Sequence, residues 1–280
     1  MKTTARIGIF LRLELADALR SRWVAFTGAV YGALLLMFVW LGLRESTVLG
    51  FTGLSRVVLN LASVVVLVVP LVALVATSQA VVGARSRGFF ELMLAQPCRR
   101  DDWLLAAAGA RLAVVLGPLL VLLGALPLLG AGLGGEAGLG PLVLRSVALI
   151  GALVWAFVGL GFLLSSWARS PERATVYALL AWLVASALHD FALIGLLLQA
   201  RIAPGVVFAL AAANPVEASR IALLGAVDPE LSVLGPVGFW LANTLGPRLT
   251  FAVGVGWPLV LGGACFVLAR RSLARSDLVG

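Results

Sequence analysis

The chain has 280 residues, 61% of them hydrophobic and 12% charged. That is about half the charge of an average soluble domain, which excludes a water-soluble core. Apolar runs of ~18 residues or more recur, the length that crosses a hydrocarbon layer as helix, and predict an all-α membrane protein with six transmembrane helices. The net charge of +8 does not point to nucleic acid, because the arginines stand in short blocks at the ends of apolar runs, a membrane-orientation pattern.

Residues 1–22 read as a unit of their own, ahead of a six-span domain over 23–280. The stretch "TTARIGIFLRLELADALR" at 3–20 puts Ile7, Phe10, Leu11, Leu15 and Leu19 on roughly one side, with Glu14 intruding. This predicts an amphipathic helix lying in the lipid interface. The first apolar run, 24–43, is too long for the core of a cleavable signal and is expected to stay as the first span. It carries "GAVYG" at 28–32, a spacing that suits close helix packing. Five more spans are predicted at about 57–78, 104–130, 146–167, 175–200 and 249–269, with short connectors at 44–56, 131–145 and 168–174.

The segment 201–248 is too apolar for a solvated loop. Within it, "ANPVEASRIALL" carries helix-start chemistry: Asn214 can cap, Pro215 suits the first position, and Glu217 favours the free N–H groups. Arg220 follows Glu217 at an ion-pair spacing. Short helices on, or dipping into, the outer leaflet are expected here, because irregular backbone is not tolerated in lipid. If the N-terminus is inside, fourteen basic residues fall on inner segments and six on outer ones. That asymmetry orients both termini to the cytoplasm.

Several polar residues lie within the spans. His189 and Asp190 sit roughly 20 Å into the fifth. Intramembrane ionisable groups default to a functional reading: a relay, a cavity lining, or a salt bridge to Arg145 or Arg201. The structural alternative is a pair at the outer interface. Arg111 is expected to snorkel from the third span. Cys98 and Cys265 have no metal-ligand spacing and one imidazole is not a site, so no metal site is expected.

A phosphate-binding loop needs a lysine after glycines, and the sole lysine is Lys2. The chain is therefore not expected to be an enzyme; any ATP and magnesium would be held by a separate subunit, and no cofactor by this chain. An intramembrane protease would have to use His189 with Ser165 or Ser166, and neither serine has a Gly-x-Ser-x-Gly setting. A stand-alone secondary transporter would show inverted repeats, and none is visible.

One segment, 79–103, interrupts the hydrocarbon with "RSRGFFELMLAQPCRRDDW" at 85–103. Pro97 limits its helix to about two turns. Exposed Phe, Met and Leu on so short a helix need a cover, which is either lipid or a partner. The series Arg85, Gly88, Glu91, Leu92, Pro97 and Arg100 resembles the cytoplasmic loop of type-2 ABC exporter permeases. The order of elements along the whole chain is similar too. The resemblance implies that this loop, with Phe89, is a coupling helix seated in an ABC ATP-binding subunit. It also implies a second copy of the chain, a bacterial inner-membrane location, and ATP-driven export or remodelling of a periplasmic partner. The stretches 49–75, 189–198 and 213–221 are similar to those of permeases serving copper-site maturation of nitrous oxide reductase. The alternative within the family is a drug or lipid exporter.

Overall fold

The computed structural model describes residues 3–20, 25, 27–34, 36–37, 40, 54–95, 98–132, 139–199, 202–226, 228, 231 and 234–275. Among the described residues the regular structure is all helical, with no strand. The first expected span lies partly outside them; its described positions are helical.

Helix α1 is Thr3–Arg20. Helices α2 (Leu54–Ser78) and α3 (Ala80–Ser86) form one apolar span over Asn60–Ser86, interrupted only at Gln79. This corrects the expected span end at 78. The interruption is bridged from the next layer, where the Ser165 hydroxyl accepts from the backbone N–H groups of Val81 (2.9 Å) and Val82 (3.1 Å). With those donors satisfied, the chain continues as helix.

A two-turn helix follows, α4 (Phe89–Leu94), then the long α5 (Arg100–Gly132) and α6 (Leu139–Trp167). Helix α6 starts earlier than the expected 146, so Arg145 is helical. The fifth span is α7 (Pro171–Leu183), a π-helical turn (Val184–Leu188) and α8 (His189–Gln199). Ser170 caps it by accepting from the Arg173 N–H. Three short helices, α9 (Pro204–Ala213), α10 (Pro215–Leu224) and α11 (Gly235–Thr244), lead to the last span, α12 (Gly246–Arg275).

The core is built around α6, which packs against α12, α2 and α5. Backbones approach closely at two crossings. A Cβ on Gly159 of α6 would overlap the carbonyl oxygen of Gly262 in α12, and one on Gly161 would overlap the Thr77 hydroxyl of α2. Beside the first crossing, Phe266 packs on Trp155 and Phe162. Gly28 and Gly32, by contrast, have nothing within 4 Å of an added Cβ, so "GAVYG" makes no close contact within the described residues. The fifth span lies at the rim, with none of its apolar window buried.

Ion pairs fix which helix ends lie together. Arg6 of α1 meets Asp102, at the start of α5, at 3.2 Å, and Arg270, near the end of α12, clasps Asp101. The start of α1, the start of α5 and the end of α12 therefore share one end of the bundle. Chain direction then places the end of α8 and the start of α12 at the opposite end. The segment between them leaves and returns on the same side. Helices α9 and α10 meet at 119°, so they form a re-entrant pair and not a seventh crossing.

Candidate functional site

The short helix α4 is isolated from α3 by Gly88, whose φ of +67° is a left-handed conformation that glycine adopts without steric cost. Two turns of helix have no stability of their own in water, so packing must hold them. It does so through Trp103, in the first turn of α5 and only 2% exposed. The Phe90 ring meets Trp103 edge-on with centroids 5.0 Å apart, and the Phe89 ring lies 5.8 Å away. Phe90 and Met93 are buried. The expectation that Phe and Met need an outside cover is thus corrected for Phe90 and Met93, which are buried within the chain, Phe90 against Trp103 of α5. What α4 turns outward is Glu91 and Leu92, the latter 71% exposed.

The other motif residues separate. Arg85 is half-buried, and its Nε and Nη2 have no hydrogen-bond partner among the described residues. Arg100 turns toward α12 and donates from Nη1 to the Leu273 carbonyl at 2.8 Å, satisfying one of the acceptors that a helix end leaves free. Pro97 lies outside the described residues.

Helix α1 is strapped beneath this platform. Trp103 Nε1 donates to Glu14 Oε1 at 2.9 Å, and Arg111 Nη2 lies 3.7 Å from Glu14 Oε2. Arg111, expected to snorkel toward the surface, is paired with the carboxylate of Glu14 in α1. Glu14, which broke the apolar stripe of α1, joins α1 to α5 together with the Arg6–Asp102 pair. Its position on the otherwise apolar side was the one signal in the sequence. Asp101 and Arg270 form a two-point contact at 2.7 and 2.8 Å. Trp103, Glu14, Asp101 and Asp102 were not among the expected site residues.

At the opposite end, polar groups gather where the fifth span meets the re-entrant pair. Asn214 caps α10, its Oδ1 accepting from the Val216 N–H at 3.0 Å, while its Nδ2 donates to the Ala185 carbonyl. Ala185 lies in the π turn, where the wider i→i+5 pattern leaves carbonyls open to such a partner. His189 Nε2 lies 3.1 Å from the Leu210 carbonyl, and Asp190 lies 3.5 Å from Arg220 Nη1. Arg220 also pairs with Glu217 at 3.0 Å. The charge partner of Asp190 is therefore Arg220, one helix away, and not Arg145; Arg201 lies outside the described residues. From Pro171, His189 is roughly 27 Å along the span at 1.5 Å per residue, toward the end opposite α4. Helix α10 is tied to α12 by Ser219, which donates to the Gly254 carbonyl at 3.2 Å, and Trp257 donates to the Ala213 carbonyl at 3.1 Å.

These arrangements bind and brace; they do not make a reaction centre. Ser165 is committed to two backbone donors near α3, whereas His189 contacts α9 at the other end. No cluster of three or more His, Cys, Asp or Glu side chains able to hold a metal occurs among the described residues.

The chain matches the family model described as "ABC-2 family transporter protein" over residues 9–273. It is 28% identical over 274 residues to "Probable ABC transporter permease protein NosY" of Stutzerimonas stutzeri, covering 94% of this chain and 96% of that protein. It is 30% identical over 267 residues to the protein of the same description from Pseudomonas aeruginosa, covering 87% of this chain and 95% of that one. With α4 on its tryptophan seat, five continuous spans described and a match running almost end to end, the chain belongs to the ABC-2 transporter family.

Proposed function

We propose that the chain is the permease subunit that couples ATP hydrolysis, carried out by a separate ABC ATP-binding subunit, to work on the outer side of the bacterial inner membrane. Two copies would assemble with two ATP-binding subunits, which hold ATP and magnesium. Both termini would face the cytoplasm. The supporting observation is α4: a short helix fixed by Trp103 that offers Glu91 and Leu92 outward. A partner gripping that face would push directly on α5, and through the Asp101–Arg270 contact on α12. The half-buried Arg85 beside it could receive an acidic group of the partner.

At the other end, α12 meets the re-entrant pair, so movement of the span would reach α9 and α10. Likeness to the NosY permeases favours remodelling of a periplasmic partner in copper-site maturation of nitrous oxide reductase. In such a two-state device the work available equals the difference in contact free energy between states.

The test is co-purification of the chain with its ATP-binding subunit, comparing wild type with Glu91→Arg. Charge reversal on the outward face should abolish the complex and its coupled ATPase activity while the protein still inserts. A complex that forms unchanged would move docking away from α4.

A further inference from the structure

A second surface at the same end as α4 is not used by the reading above. Helix α12 presents Arg271 and Arg275 one turn apart, with Ser272 between them, and α6 ends beside them at Trp167. Together with Leu268, these five residues line an open cavity of about 460 Å³. Both arginines are exposed and neither has an ion-pair or hydrogen-bond partner among the described residues. Their neighbour Arg270 differs, because it is held by Asp101. The cavity wall changes character along the helix axis. Leu268 and Trp167, 44% and 60% exposed, lie on the hydrocarbon side, and the cations and the serine hydroxyl lie beyond them.

We infer that this cavity is a binding site for the headgroup phosphate of an anionic phospholipid in the leaflet on the α4 side. Arginine is suited to phosphate by its planar array of donors, and two guanidiniums at i, i+4 present those donors to one ligand. The Ser272 hydroxyl supplies a further donor. Tryptophan settles at the headgroup level of a bilayer, and Leu268 continues toward the acyl region. Basic pockets between spans on the cytoplasmic side take lipid phosphates for these reasons. A soluble anion would gain from the arginines and nothing from the apolar wall.

The full chain, purified in mild detergent, is incubated with phosphatidylglycerol, with phosphatidylcholine, or with inorganic phosphate, and retained ligand is measured by native mass spectrometry. Wild type should retain phosphatidylglycerol over phosphatidylcholine. The double variant Arg271→Gln/Arg275→Gln should lose roughly 30-fold in affinity, from the usual worth of two surface cations near anionic lipid. Arg271→Lys/Arg275→Lys should recover part of the loss, and a charge-matched control, Arg87→Gln/Arg173→Gln at exposed positions elsewhere, should change little. Equal losses in control and double variant would overturn the site in favour of bulk charge. Inorganic phosphate binding as tightly as the lipid would overturn the lipid as its ligand. Unchanged lipid retention in the double variant would overturn the site.

Discussion

Trp103 is the residue on which α4 depends, and Trp103→Ala isolates that dependence. Replacement removes two aromatic pairs, at centroid distances of 5.0 and 5.8 Å, each contributing about 0.5–1.5 kcal/mol beyond simple burial. It also leaves Phe90, 1% exposed in the wild type, without its floor, which adds about 1 kcal/mol or more of lost burial. The sum is about 3 kcal/mol acting on a helix with no intrinsic stability. Local opening governs amide exchange, so the amides of 89–94 should exchange on the order of 100-fold faster. Hydrogen–deuterium exchange in detergent reads this directly, with α6 amides as the internal reference. Trp103→Phe should give a smaller change, since it keeps ring contact and loses only the donor to Glu14. Unchanged protection over 89–94 in the alanine variant would refute the dependence. So would a loss spread evenly through α5 and α6.

Other substitutions probe the remaining joints. Gly262→Leu should separate α6 from α12 and cut the yield of folded protein in size-exclusion profiles, because its Cβ would lie within 2.8 Å of Trp155 and Ala156 atoms; overpacking of this kind costs about 1–3 kcal/mol or more. Gly28→Leu, with open space around it, should leave the profile unchanged. Asn214→Ala removes both the α10 cap and the donor to Ala185. It should destabilise the re-entrant pair by about 1–2 kcal/mol and raise labelling of a cysteine placed at Ala213.

Five of the six expected crossings were legible and are described, because apolar length is a direct physical requirement of a bilayer. A helix start was legible where capping chemistry is local, as at Asn214–Pro215, whereas the start at Ser170–Pro171 was not read, the span being expected from about 175. Span ends were less legible. The extension of the second span to Ser86 depends on a hydroxyl in α6, far away in sequence, and no local pattern announces it. The same limit hid the tryptophan seat. Residues 85–100 carry the motif, but the group that holds α4 lies just beyond it and works through tertiary contact. Glu14 was visible only as a fault in an amphipathic stripe, and its partners Trp103 and Arg111 belong to another helix. The close approach of α6 and α12 uses one glycine from each, a pairing that no spacing rule within a single helix detects.

The glycine crossing of α6 and α12 gives the last span a fulcrum. Gly262 stands roughly 24 Å from Gly246 and roughly 20 Å from Arg275 at 1.5 Å per residue. With the middle held against α6, the two arms of a stiff helix swing in opposite directions. A displacement of 1 Å at the Asp101–Arg270 clasp, roughly 12 Å from Gly262, would return as roughly 2 Å of opposite sense at Gly246. Gly254, against which α10 rests, lies about halfway along the outer arm and would move by about half as much. Pro258, between fulcrum and contact, removes one backbone hydrogen bond from that arm. The stroke reaching the re-entrant pair is thus set by where two glycines meet and softened by one proline, and moving the crossing by a single helical turn would change its reach at both ends.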